Sequence, residues 1–258
     1  MLKLSFETSC NVTFAAMRQK PSLHTLLSPR LLDLYDVENS IVVIIDVFRA
    51  TSTIATALYN GAEKIIPVAG VEDCILIGKK LNAVTAGERD GKVIEGLQHG
   101  NSPAEYPRSF IEGKTLVLTT TNGTKLLHMA LDKAASEVVT GSFPNLSSVC
   151  EHLVSANKNV ILGCSAWKDR FNLEDTLFAG AVIRQVKNFF TIRCDSSLMA
   201  EDMYRLHCND IHSFIRKTTH WHRLASYGLE KDLEYCVTLN VANVLPRYKE
   251  GALIISHT

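Results

Sequence analysis

The chain has 258 residues, of which 27 are basic, 27 are acidic and 46% are hydrophobic. This composition is typical of a soluble globular protein long enough to bury a substantial core. The formal net charge of zero gives no reason to expect a nucleic-acid partner. No uncharged apolar stretch approaches the roughly 18 residues of a membrane span, and the N-terminus lacks the apolar run of a signal peptide. We therefore expect a cytoplasmic protein without a membrane partner.

The cysteine and glycine patterns exclude several kinds of site. The seven cysteines are odd in number and form no CxxC pair, so we expect neither a disulfide framework nor a structural zinc site. Most of these thiols should be reduced and buried. Neither a GxGxxG nor a Walker A sequence occurs, which disfavours dinucleotide and nucleoside triphosphate binding. His220 and His222 lack a metal-ligand spacing such as HExxH.

Short apolar runs alternate with helical patterns, which predicts an α/β fold in layers. The predicted strands lie at 41–45, 64–68, 115–118, near 138, 159–164 and 252–255. The predicted helices lie at about 51–60, 71–81, 125–131 and 174–186. Beyond about residue 189 the pattern is mostly helical until the late strand. We expect a single α/β/α unit, residues 1–258, with a mostly helical C-terminal part.

One internal similarity predicts two related halves. Residues 41–68 align with residues 114–141 at an offset of 73 without a gap. Both segments read strand, polar turn, helix, loop, strand, although only four of the 28 aligned positions are identical. We interpret this as two pseudo-repeated halves, about 1–110 and 111–258, each presenting a strand-to-helix turn at a shared cleft. General α/β patterning would explain the similarity as well.

The first polar cluster, DVFRATST, follows the strand at 41–45. Asp46 offers a hard oxygen to Mg²⁺, Arg49 offers a guanidinium to an anion, and Thr51 and Ser52 open a helix whose amides suit a phosphate. The alternative is that a hydroxyl caps the helix and Asp46 is a turn residue. An aspartyl-nucleophile DxDxT motif is disfavoured because Phe48 stands at its second acidic position.

Two further clusters carry polar groups on glycine-rich turns. The second runs through AGER, EG and GNSP and contributes Glu88, Arg89, Glu95, Asn101 and Ser102. The alternative interpretation is a surface hairpin with an ordinary Glu–Arg pair. The third is TTTNGT, a candidate oxyanion nest or simply a common turn, with the candidate binding residues Thr119, Thr120, Thr121, Asn122, Gly123 and Thr124.

The fourth cluster is FNLEDT, in which Asn172 is a candidate N-cap. Glu174 and Asp175 fall in the first helical turn, where negative charge favours the helix dipole. Their functional interpretation is a second magnesium ligand or a base that orients water. Cys164 is a candidate nucleophile, but a packed thiol at a strand end is the simpler interpretation.

Taken in order, DVFRATST, AGER, EG, GNSP, LTTTNGT, GSF and LEDTL resemble the motifs of the 2-phosphosulfolactate phosphatase family. The resemblance covers about residues 41–180, with a weaker similarity at 229–237. It implies a family-specific α/β fold on related halves. It also implies Mg²⁺-dependent hydrolysis of (2R)-2-phospho-3-sulfolactate to 3-sulfolactate and phosphate, a step towards coenzyme M.

The sequence departs from the family pattern at two places. EGLQHGNSP replaces the expected EGFDLGNSP, so Gln98 and His99 stand at an acidic and an apolar position. WKDRFN stands where a smaller glycine-containing loop is usual, and Lys168 and Arg170 are therefore expected to alter which anion is preferred.

The resemblance gives the clusters one mechanism. Asp46, with Glu95 or another of the acidic residues Glu88, Glu174 and Asp175, would hold Mg²⁺, while Arg49 and Arg89 would bind the substrate anions. The attacking group is left open between a water molecule and Asp46 itself. Two alternatives are a phosphatase for another small phosphorylated acid and a non-catalytic protein that binds anionic metabolites. The chain could also form a homo-oligomer.

Overall fold

The computed structural model describes residues 19–89, 92–120 and 122–255. The strands are β1 (Ser22–Leu26), β2 (Ser40–Ile45), β3 (Lys64–Val68), β4 (Val84–Arg89), β5 (Lys92–Val93), β6 (Thr115–Thr119), β7 (Glu137–Gly141), β8 (Asn159–Cys164), β9 (Thr191–Ile192), β10 (Pro246–Lys249) and β11 (Ala252–Ile255). The helices are α1 (Ala50–Tyr59), α2 (Val71–Leu81), α3 (Arg108–Ile111), α4 (Gly123–Asp132), α5 (Leu146–Ala156), α6 (Leu173–Val186), α7 (Asp195–His207), α8 (Ile211–Ile215), α9 (Thr219–Ala225) and α10 (Glu230–Cys236). The predicted α/β class is confirmed, and no helix in the described ranges is long and apolar enough to cross a membrane.

All strands belong to one sheet, in the order β5-β4-β6-β3-β11-β10-β7-β2-β8-β1-β9. β3, β6 and β4 form one parallel block, and β7, β2, β8, β1 and β9 form another. The antiparallel hairpin β10–β11 lies between them and pairs with β7 on one side and β3 on the other. The three pairings β7–β10, β10–β11 and β11–β3 are all antiparallel. The two parallel blocks therefore run in opposite directions.

The side chains of β2 show how helices cover both faces of the sheet. All six residues of β2 are buried, and successive side chains of a strand point to opposite faces. Val42 and Ile44 pack in one apolar cluster with residues of α1 and α4. Ile41, Val43 and Ile45 pack in another with residues of α5 and α6. Such all-buried, Val- and Ile-rich strands are typical of parallel sheets covered on both faces.

The segments aligned at an offset of 73 have matching elements in the structure. α4 begins and ends 73 residues after α1, and β7 begins and ends 73 residues after β3. Each strand of the first segment pairs with a strand of the second, because β2 lies beside β7 and β3 lies beside β6. The first residues of the two helices also approach each other, because a Cβ on Gly123 would lie 3.4 Å from the Cβ of Ala50. The two strand-to-helix turns therefore meet.

Candidate active site

A cleft of about 180 Å³ gathers residues from three of the polar clusters. They are Asp46 and Arg49 after β2, Glu88 and Arg89 at the end of β4, Asn101, and Thr120 and Asn122 after β6. Phe48 and Leu224 add apolar surface. The cleft is thus built from strand ends that lie in different blocks of the sheet, brought together by the meeting of α1 and α4.

Asp46 joins the two helix starts. Its Oδ2 accepts a hydrogen bond from the Gly123 amide at 3.0 Å, and Gly123 permits this approach because a Cβ would lie 3.1 Å from that oxygen. Oδ1 accepts no hydrogen bond from the described residues, which leaves it for the cleft. Burial, together with the nearby carboxylates of Glu88 and Glu174, raises the pKa of Asp46 to about 6. A bound cation or a proton would relieve this repulsion.

Thr51 and Ser52 stabilise the turn rather than line the cleft. The Thr51 hydroxyl donates to the Asp46 carbonyl at 2.9 Å, and the Ser52 hydroxyl donates to the Val47 carbonyl at 2.9 Å. Both side chains are buried. These contacts favour the local, turn-stabilising interpretation of the two hydroxyls.

Arg49 is held by a residue far along the chain. Its guanidinium pairs with Asp232 on α10, and the side chains are only 4% and 10% exposed. The other oxygen of Asp232 accepts a hydrogen bond from Ser102 at 2.8 Å. Asp232 therefore links the first and second polar clusters and fixes the position of Arg49.

The second cluster divides between the cleft and the surface. β4 and β5 form the hairpin that was the alternative interpretation, yet Glu88 and Arg89 still line the cleft. The Asn101 Oδ1 is buried and has no hydrogen-bond partner in the described part of the chain. Glu95 is exposed and does not line this cleft. Gln98 and His99, which depart from the family pattern, both contact the protein: Gln98 accepts a hydrogen bond from the Thr85 amide at 3.1 Å, and His99 packs on Phe110.

In the third cluster Thr120 and Thr124 bond to each other, while other members bond outside the cluster. The hydroxyls of Thr120 and Thr124 lie 3.0 Å apart, and the Thr124 amide donates to Thr120 Oγ1 at 3.3 Å. Thr119 donates to the Ala69 carbonyl at 3.3 Å. Thr120 and Asn122 remain at the cleft surface. Thr121 lies outside the described residues.

The two acidic residues at the start of α6 are fully buried and have different partners. Asp175 accepts from the Val47 amide at 2.9 Å and the Ala166 amide at 3.3 Å, so it ties the turns after β2 and β8 together. Burial and the charges of Glu174 and Asp46 raise its pKa well above the usual range. Glu174 hydrogen-bonds His220 Nδ1 through one oxygen, and its other oxygen is buried without a hydrogen-bond partner among the residues that the structure describes.

Three cleft residues were not predicted as site residues from the sequence, namely His220 and Arg223 on α9 and Trp167 in the loop after β8. Lys168, which the sequence predicted to alter anion preference, lines the same cleft. The pair of histidines around Trp221 was a visible signal, but only the fold brings His220 to Glu174. Cys164 does not have the properties of a nucleophile, because it is fully buried and burial raises the pKa of its thiol well above the usual range.

The donor set of the cleft fits Mg²⁺, although no group of three His, Cys, Asp or Glu side chains in the described ranges is arranged to hold a metal. Mg²⁺ is held through one or two carboxylates, with water and substrate oxygens completing its coordination. Asp46 and Glu88 supply carboxylates in the same cleft, and the unpartnered Oδ1 of Asn101 supplies a third hard oxygen. The buried acidic groups of α6 are less suited, because their oxygens bond to the protein or are enclosed within it.

The α/β fold carries a cleft of carboxylates and arginines, and over most of its length the chain is similar in sequence to proteins named as probable phosphoric monoester hydrolases. A model of the 2-phosphosulpholactate phosphatase family matches residues 26–251. A probable 2-phosphosulfolactate phosphatase of Thermotoga petrophila is 40% identical over 219 residues, 85% of this chain and 93% of that protein. One of Caldanaerobacter subterraneus subsp. tengcongensis is 36% identical over 222 residues, 84% of this chain and 90% of that protein. The chain belongs to the 2-phosphosulfolactate phosphatase family.

Proposed function

We propose that this protein is a Mg²⁺-dependent phosphatase that hydrolyses 2-phosphosulfolactate to 3-sulfolactate and phosphate. The observation that carries the proposal is the position of Asp46 between two helix starts, beside Arg49 and Glu88 in one cleft. Family membership supports the substrate. A protein that only binds anions has no use for two carboxylates in the cleft, since they repel the ligand unless a cation intervenes.

Several groups of the cleft have roles in this reaction. Asp46, Glu88 and Asn101 would hold Mg²⁺, which supplies charge neutralisation for the phosphoryl oxygens. Arg49 would bind a phosphoryl oxygen from a position fixed by Asp232. Asp46 Oδ1 is the oxygen available either to attack phosphorus or to orient the attacking water.

The leaving alkoxide needs a proton, and His220 is suited to provide it. Glu174 binds Nδ1 of this histidine, so Nε2 is left for the cleft that the ring lines. A carboxylate that binds one ring nitrogen fixes the orientation of the imidazole. We assign Glu174 the role of a positioning residue and His220 that of the proton donor.

The test is phosphate release from 2-phosphosulfolactate by wild type, with Mg²⁺ and then with excess chelator, beside Asp46→Asn. We expect turnover that chelator abolishes and that falls by about 10³-fold or more in the variant, since the charge that organises the site is removed. Glu95→Gln is the matched control, because this carboxylate is exposed and outside the cleft. Turnover that persists in Asp46→Asn would refute the site, and turnover only of other phosphorylated acids would refute the substrate.

A further inference from the structure

One part of the cleft carries positive charge that the mechanism above does not use. Arg223 on α9 stacks on Trp167, with its Cζ 4.2 Å from the ring centroid. Lys168 also lies over this ring, with its Nζ 4.7 Å from the centroid. All three residues line the cleft that holds Asp46.

Neither of these cations is paired with a carboxylate of the described residues. In the described ranges Arg223 and Lys168 take part in no salt bridge, whereas Arg49, Arg216 and Arg247 each pair with a carboxylate. Stacking on an indole keeps a guanidinium oriented without neutralising it. The cleft therefore contains an oriented cation whose partner is not supplied by the described part of the protein.

The loop that carries Trp167 and Lys168 is fixed in place. Ala166, Lys168 and Asp169 have φ values of 59°, 52° and 63°, a left-handed conformation that costs non-glycine residues about 1 kcal/mol or more each. Asp169 accepts from Lys125 at 2.6 Å and from Arg30 at 3.1 Å, and these ion pairs hold the loop. A preformed loop presents its cation with little loss of conformational entropy on binding.

We propose that Arg223, with Lys168, binds a second anionic group of the substrate, separate from the phosphoryl group, and so selects phosphate esters that carry a sulfonate or carboxylate. The inference rests on the proposed function and adds a specificity determinant to it. A guanidinium can donate two parallel hydrogen bonds to either kind of anion. Arg49 of the same cleft is already assigned to the phosphoryl group, from the position that Asp232 fixes.

The experiment compares three esters on wild type, Arg223→Met, Arg223→Lys and Lys168→Met. They are 2-phosphosulfolactate, 2-phospholactate, which lacks the sulfonate, and the phosphate ester of 2-hydroxyethanesulfonate, which lacks the carboxylate. Arg223→Met should raise KM by about 10- to 100-fold for the esters that carry the recognised anion, with kcat nearly unchanged, because one charge-assisted hydrogen-bonded contact is lost. The ester that lacks this anion should show little change, and Arg223→Lys should recover part of the loss.

Arg216→Met is the matched control. This arginine stacks on another indole, that of Trp221, at 5.9 Å, and it lies outside the cleft lining. An equal loss for all three esters in Arg223→Met, or a loss in kcat alone, would overturn the inference while leaving the phosphatase assignment intact.

Calorimetric titration with 3-sulfolactate and with inorganic phosphate separates the two proposals further. Arg223→Met should bind 3-sulfolactate about tenfold or more weakly and bind phosphate like wild type. If wild type hydrolyses none of the esters, the proposed function fails, and the titration alone decides the inference. Wild type that does not bind 3-sulfolactate, or binding that is equal in Arg223→Met, would overturn it.

Discussion

Asp232→Asn would leave the guanidinium of Arg49 buried beside a neutral side chain. Arg49 is 4% exposed and Asp232 is 10% exposed, so water reaches the unpaired charge only poorly, from the cleft that Arg49 lines. Removing one partner of a buried ion pair costs about 3–5 kcal/mol. Asparagine retains an acceptor oxygen, so we expect the lower end, about 3 kcal/mol. Since domains have about 5–15 kcal/mol of stability, the variant should fold but unfold at lower denaturant.

The assay is urea unfolding of wild type, Asp232→Asn and the control Glu112→Gln. Glu112 pairs with Arg108 at 2.9 Å with side chains 63% and 56% exposed, and such pairs contribute about 0.5 kcal/mol or less. We also expect kcat/KM of Asp232→Asn to fall about tenfold or more, because Arg49 and Ser102 lose their common partner. If Asp232→Asn lowers the free energy of unfolding by no more than Glu112→Gln does, the reasoning about the buried ion pair is wrong.

Two predictions concern the scaffold. Burial alone would raise the pKa of Glu137, but His152 and Arg247 lower this pKa overall. The carboxylate therefore stabilises the fold at pH values above its ordinary pKa of 4.5, and this stabilisation is lost as the pH falls through the lowered pKa. Glu137→Gln should therefore cost about 1 kcal/mol near pH 7 and progressively less in acid, and a variant deficit independent of pH would contradict this. Gly180→Ala should cost about 3 kcal/mol, because its Cβ would lie 1.9 Å from the Ala200 carbonyl oxygen. The Cβ of Gly78→Ala would meet the Thr85 side chain rather than backbone, so this variant should lose less stability in urea unfolding. The reverse order would refute the argument that Gly180 of α6 is needed for close contact with Ala200 of α7.

Local pattern was sufficient for many of the elements. The predicted bounds of β3, α2, β8 and β11 match the structure. These elements are predictable because an apolar run or a helical periodicity depends only on which neighbouring residues are buried. α4 begins earlier than predicted, at Gly123, since an Asn-Gly pair is locally indistinguishable from a turn. β10 was missed because a four-residue strand with two polar side chains has little signal of its own.

The candidate site was predicted in part for the same reason. Polar residues that directly follow buried strands were expected near a cleft, and Asp46 and Thr120 lie there. Glu88, which the sequence placed on a glycine-rich turn, lies there as well, at the end of β4. A hydroxyl at a helix start has the same sequence signature whether it binds a ligand or bonds to its own turn, so the role of Thr51 depended on the structure. Glu95 illustrates the same limit, because a carboxylate in a glycine-rich stretch does not reveal which way its loop faces.

The sequence by itself determined the α/β class, most helices and strands, and the family with its ordered motifs. Only the tertiary structure decided that the two parallel blocks run in opposite directions around β10–β11, that Arg49 pairs with Asp232, and that α9 brings His220 and Arg223 to the cleft. The physical reason is separation along the chain. Strand pairing and buried ion pairs join residues that share no local pattern, so their energy depends on how the whole sheet and its helices pack.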